Sequence, residues 1–189
     1  MPDRSPCLAP LSWQSDVAGC DPSLQREILA ARICINDLFQ DLRSDEEYEW
    51  GNPISYQNCV EGAAFLCGVL RDSFPDFDWV PVVGREQHES HCVVMGQING
   101  ERVFADITGD QFGDHVSSAR LMTYTADADN SFVIKLKLND ALPNVRILEK
   151  WKANWCQNID RHRQEADEIM NSNLPTQEYS GIMSPGVSA

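Results

Sequence analysis

At 189 residues the chain is long enough to bury a core without disulfide or metal staples, and it fits one domain with irregular ends. Hydrophobic residues make up 42% and charged residues 23%, an ordinary globular balance, but 15 Lys and Arg stand against 29 Asp and Glu for a net charge of −14. Such a surface argues against nucleic acid and anionic lipid as partners, since both need clustered cations, and it favours a protein or peptide substrate with a basic surface.

Residues 1–20 carry three prolines and read as an irregular lead-in without the basic-then-apolar pattern of a signal peptide. No apolar run approaches the length of a membrane span. A cytoplasmic location is the expectation, with export by a specialised system left open. Asp21-Pro22 opens a helix, Asp as N-cap and Pro in the first turn. Leu24, Ile28, Ala31, Ile35, Leu38 and Leu42 then form one apolar face of that helix. The acidic cluster Asp45-Glu46-Glu47-Tyr48-Glu49 ends it as a solvated loop. A second helix runs from about 58 to 72 and is apolar nearly all round, so it is central and buried. Gly62 and Gly68 each cost that helix about 1 kcal/mol relative to Ala, which points to close approach of another element.

Residues 79–84 read as a short strand. Residues 91–98 and 101–107 flank Asn99-Gly100, a strong hairpin signal. Residues 132–138 alternate as a further strand. After Pro143 a long helix runs from about 145 to 170, and the tail 171–189 reads as flexible. The expected architecture is one α+β domain over 21–170, with the helix begun by Cys59 packed on a small antiparallel sheet. An N-terminal and a long C-terminal helix flank it.

Seven cysteines at 7, 20, 34, 59, 67, 92 and 156 are odd in number and contain no CxxC pair. That pattern argues against a disulfide framework and a zinc knuckle, and it fits a reducing compartment. No cofactor and no metal are expected.

Asn58 as N-cap places Cys59 in the first turn of the buried helix. Free N–H groups and the positive dipole end there favour a thiolate, and the same N–H groups suit an oxyanion. With a two-residue type I′ turn at Asn99-Gly100, Ile98 pairs with Glu101 and Met95 with Phe104. His91 and Asp106 then become diagonal neighbours on one face. A three-residue loop would put them on opposite faces instead. A thiol, an imidazole and a carboxylate are the parts of a cysteine nucleophile system. Other histidines compete for the central role. His88 points away from His91 on a regular strand. His115 lies in a Gly- and Asp-rich loop beside Asp110 and Asp114. His162 reads as a surface residue.

Asn58-Cys59-Val60-Glu61-Gly62-Ala63-Ala64, His91-Cys92-Val93-Val94 and Ala105-Asp106-Ile107-Thr108 resemble the papain-like and transglutaminase-like cysteine proteins. The stretch from His91 to Gln111-Phe112 is also similar to YunG-like bacterial proteins, and more distantly to papain-fold glutamine deamidase toxins. The resemblance covers about 55 residues. It implies Cys59 as nucleophile, His91 as base and Asp106 as orienter. Gln57 is implied as an oxyanion donor, although it sits closer to the Cys than the papain-like pattern places that residue. Gln111 is implied as a packing or hydrogen-bonding residue behind the site. Cys92 follows His91 where several transglutaminase-like proteins carry an aromatic.

The leading expectation is a thiol-dependent amide hydrolase or acyl transferase of the peptidase or protein-glutamine deamidase type. The alternative is a catalytically inert acidic interaction module acting as inhibitor, immunity protein or decoy. A metal-binding regulator built from Cys59, His91, His88 or His115 fits ligand spacing poorly.

Overall fold

The computed structural model describes residues 11, 13–42, 58–86, 89–112, 117–123, 132–138 and 143–172. The strands are β1 (Trp13–Ser15), β2 (Val80–Glu86), β3 (Glu89–Ile98), β4 (Glu101–Asp106), β5 (Ala119–Thr123) and β6 (Phe132–Leu138). The helices are α1 (Pro22–Leu42), α2 (Cys59–Ser73) and α3 (Val145–Ser172), with a 3-10 turn at Gly109–Phe112. The chain is therefore α+β. The six strands form one sheet in the order β1-β5-β4-β3-β2-β6.

That sheet differs from the antiparallel one expected. It is mixed, because β1 pairs parallel with β5 at the edge. The lead-in is not wholly irregular, since Trp13–Ser15 supplies that strand. Three residues suffice because β5 already offers an unpaired edge. The last helix continues two residues past Met170, and its helical geometry is interrupted at Asn158. The acidic cluster and residues 173–189 lie outside the described residues.

The hairpin forms as the Asn-Gly dipeptide dictates. Asn99 and Gly100 both take positive φ, 53° and 86°, as a type I′ turn requires. Ile98 pairs with Glu101 and Met95 with Phe104, and the ladder runs on to Val94 with Ala105. On the next strand Asp106 pairs with Arg120.

Alternation along these strands divides the apolar residues between two faces. Cys92, Val94, Val103, Ala105, Ala119 and Leu121 join the main core with α1, α2 and α3. Val82, Val93 and Phe104 form a smaller cluster of their own, with Val80, Met95 and Met122 against it. Helix α2 is buried along Gly62, Ala63, Phe65, Leu66, Cys67, Val69 and Leu70. Gly62 is needed there, because a Cβ would stand 2.7 Å from Thr108 Cγ2. Gly68 has no such neighbour within 4 Å, so close approach explains one glycine of the two.

A buried ion pair ties α1 to the sheet, and a half-buried one ties α3 to α1. Arg32 of α1 forks onto Asp110, Nη1 to Oδ1 at 2.9 Å and Nη2 to Oδ2 at 2.7 Å, and also reaches the Ile107 carbonyl at 2.6 Å. It thereby fixes the turn that follows β4. Arg163 of α3 forks in the same way onto buried Glu27 of α1, at 2.7 and 3.0 Å.

Candidate active site

Helix α2 begins at Cys59, so the thiol occupies the first turn and lies where free backbone N–H groups point outward. Asn58 precedes it, but its side chain makes no capping hydrogen bond. Asn58 contributes through its carbonyl, which accepts from Gly62 N at 2.8 Å. The helix start sits beside the His91-Cys92 segment of β3. The Cys59 thiol is hydrogen-bonded to the Cys92 side chain and to the His91 ring, and it also accepts from the Cys92 backbone N–H.

His91 is fully buried. Its Nε2 meets Asp106 Oδ2 at 2.9 Å, the diagonal contact that the hairpin register makes possible. Its Nδ1 meets the Gln111 side-chain amide at 2.6 Å. The Phe112 ring stands edge-on to the imidazole, centroids 4.9 Å apart. With Nε2 committed to Asp106, Nδ1 is the nitrogen that faces Gln111. An amide N–H on Nδ1 fits a neutral ring; once Nδ1 is protonated, the amide oxygen must turn toward it.

Asp106 is held on every side. Arg120 donates to its Oδ2 from Nε at 2.9 Å and from Nη2 at 2.8 Å. Its Oδ1 accepts from Thr108 N at 2.9 Å and from Thr108 Oγ1 at 3.0 Å. Burial works against its charge, yet the His91 and Arg120 cations and these hydrogen bonds hold the carboxyl well below the usual carboxylate range.

The same network sets the other two protonation states. Burial disfavours the imidazolium, but the Asp106 charge, the Asp106 hydrogen bond and the Cys59 contact overcome it and raise His91 to about 9. The Cys59 thiol is pushed down, first by its hydrogen bond with Cys92 and then by His91, against the opposing effect of burial. Cys92 moves the other way, kept protonated by its contact with Cys59 and by burial. The state these shifts favour is a Cys59 thiolate beside a His91 imidazolium.

Cys59, His91, Asp106 and Gln111 are thus brought together. Gln57, His88 and His115 lie outside the described residues. His162 is not the surface residue the sequence suggested. It is fully buried in α3, stacked on Trp155 at 6.0 Å, with Nε2 on Asp37 Oδ2 at 2.8 Å. It lies apart from the Cys59 group and braces α3 against α1.

Arg120, Thr108 and Cys92 are the participants that sequence reasoning missed. The one signal for Arg120 was a cation between Ala119 and Leu121 in an apolar run. Among the described residues no group of three or more His, Cys, Asp or Glu could hold a metal ion. No described helix is long and apolar enough to cross a membrane. The chain matches no protein-family model, and neither a curated protein nor a solved structure matches it significantly.

Proposed function

We propose that this protein is a thiol-dependent amide hydrolase or acyl transferase in which Cys59, His91 and Asp106 act as nucleophile, acid–base and orienter. The observation that carries the reading is the double engagement of His91, which contacts the Cys59 thiol while Asp106 grips Nε2 at 2.9 Å. A purely structural histidine needs no thiol partner at a helix start. The Cys59 thiolate attacks the carbonyl carbon of the amide. Backbone N–H groups at the start of α2 receive the developing oxyanion. His91 then protonates the leaving nitrogen, and Asp106 stabilises and orients the ring throughout. Water or an amine attacks the resulting thioester and returns Cys59 to its starting state.

Gln111 serves here as a second hydrogen-bond partner of the ring, in the position behind the site that the resemblance to papain-like and transglutaminase-like proteins implies. The net charge of −14 favours a substrate region that is basic. Proteolysis and glutamine deamidation share the thioester and differ in the nitrogen released.

The test is to incubate the protein with glutamine-containing basic peptides and quench in acid. The reading expects an acyl adduct on Cys59 by peptide mass mapping, absent from Cys59→Ala. Release of ammonia marks deamidation, and a new peptide amine marks cleavage. Turnover by Cys59→Ala at the wild-type rate would show the nucleophile assignment to be wrong.

A further inference from the structure

We propose that Cys59 and Cys92 form a peroxide-responsive dithiol whose oxidation to a disulfide caps the nucleophile. The inference rests on Cys59 being the reactive thiol of the proposed reaction, but it needs no substrate to be observed.

The described cysteines differ in what their thiols meet. Cys34 points its sulfur to the Trp151 carbonyl at 3.5 Å, Cys67 to the Trp79 carbonyl at 3.5 Å, and Cys20 to the Asp21 carbonyl at 3.6 Å. Those are ordinary contacts of small, weakly donating side chains. Cys59 and Cys92 instead meet each other, across the packing of α2 on β3. Their exposure differs as well. Cys59 is half-buried and Cys92 is 5% exposed within the main core. An oxidant in solution therefore reaches Cys59 first, and Cys92 waits behind it as a resolving thiol.

The chemistry balances with hydrogen peroxide as the oxidant. The Cys59 thiolate attacks one peroxide oxygen, and the O–O bond breaks. The departing hydroxide takes the His91 proton and leaves as water, so Cys59 carries a sulfenic acid. The Cys92 sulfur then attacks the Cys59 sulfur, and the S–O bond breaks. That hydroxide takes the Cys92 proton and leaves as a second water. One disulfide forms, two thiols are oxidised, and one peroxide is reduced to two waters. The low basicity of Cys59 favours its departure on reduction, so an added dithiol restores both thiols.

The experiment treats the full chain with a small excess of hydrogen peroxide near neutral pH, blocks free thiols, and maps the peptides by mass. Expected is a linked peptide pair holding Cys59 and Cys92 with a mass loss of two hydrogens. Cys59 alkylation by iodoacetamide is lost and returns with dithiothreitol. In Cys92→Ser the sulfenic acid on Cys59 persists and reacts with dimedone, and excess peroxide drives it to sulfinic acid. Cys156→Ser still forms the disulfide.

Oxidised wild type with sulfinic Cys59 and a free Cys92 thiol would overturn the proposal, as would Cys59 linked to another cysteine. Mapping the wild type decides the matter even if Cys92→Ser folds poorly. If Cys59 alkylates rapidly yet never pairs with Cys92, the dithiol fails and the nucleophile reading stands. If Cys59 reacts with neither reagent, both fail.

Discussion

Replacing Asp106 with asparagine keeps the shape of the side chain and removes its charge at the point where four groups converge. The carboxylate, 2% exposed, accepts from His91 Nε2, Arg120, Thr108 N and Thr108 Oγ1. An asparagine can keep its oxygen on the two Thr108 donors, but its NH2 then faces the donors of Arg120 and His91. The variant leaves a guanidinium that is 6% exposed without the carboxylate it faces. Removing one partner of a buried pair costs about 3–5 kcal/mol. Against a total stability of about 5–15 kcal/mol, that is a large fraction. With a urea m-value of roughly 2 kcal/mol per molar, the unfolding midpoint should fall by about 1.5–2.5 M. Urea titration followed by circular dichroism reads this directly. A second substitution, Arg120→Met, should recover part of the loss in the double variant, because it removes the buried cation that the carboxylate had faced. A change below about 1 kcal/mol, the range of exposed pairs, would refute the reasoning, since the carboxylate would then be solvated rather than locked.

Gly62→Ala should destabilise by about 1–3 kcal/mol despite alanine's helix propensity, because the new methyl would stand 2.7 Å from Thr108 Cγ2. Gly68→Ala, with open space around it, should stabilise by about 0.5–1 kcal/mol, and thermal melts of the pair check both signs. Cys59 has a folded-state pKa below its ordinary 9.0, so its contribution to stability is present above pH 9 and is lost as pH falls toward about 4. The stability of wild type relative to Cys59→Ala should therefore rise with pH across that window, as paired denaturant titrations would show. His91 works in the opposite sense. Its pKa is raised from 6.5 to about 9, so its contribution is complete below 6.5 and is lost as pH rises through 9. Relative to His91→Gln, wild type should lose stability between those two values. Arg32→Met should loosen the turn after β4, because Asp110 then loses both arms of the fork. The protease sensitivity of that turn should increase, with Arg163→Met as a control that breaks a different pair.

The parts of this arrangement governed by local rules were legible in the sequence. Asn99-Gly100 dictated the turn, the turn set the register, and the register placed His91 diagonally to Asp106. The apolar run after Asn58 foretold a buried helix beginning at Cys59. The parts set by distant pairing were not. Arg120 reaches Asp106 only because β5 lines up against β4, and nothing near residue 120 announces that partner. Trp13–Ser15 becomes a strand through its parallel pairing with β5, against the expectation raised by its proline-rich surroundings. His162 was misread because the polar residues around it hide a stripe that α1 covers. It stands two turns after Trp155 on the same helix and stacks on that ring, while its bond to Asp37 of α1 is a tertiary contact that no local pattern encodes. Cys92 lies in an apolar run, where a cysteine behaves as a small hydrophobe of the core. It is one, but the start of α2 brings Cys59 against it.

A Cys59 thiolate sustained by Cys92 and His91 underlies the proposed chemistry, and the pH profile of Cys59 alkylation reads it without any substrate. At pH 6 a thiol of ordinary pKa, 9.0, is ionised to about one part in 10³, whereas one held at about 4 is almost wholly ionised. Lower basicity lowers intrinsic reactivity by about 10²–10^2.5 across the same gap. Cys59 should therefore react with iodoacetamide only about 3–10 times faster than an ordinary thiol at pH 6, and more slowly than one above about pH 7. The decisive feature is the shape of the curve, read by peptide mapping with glutathione in the same tube. The rate should be nearly independent of pH between about 5 and 8 in wild type, and in His91→Ala the rise should move to higher pH and shorten that plateau. A wild-type rate that climbs about tenfold per pH unit through this range, unchanged in His91→Ala, would contradict it.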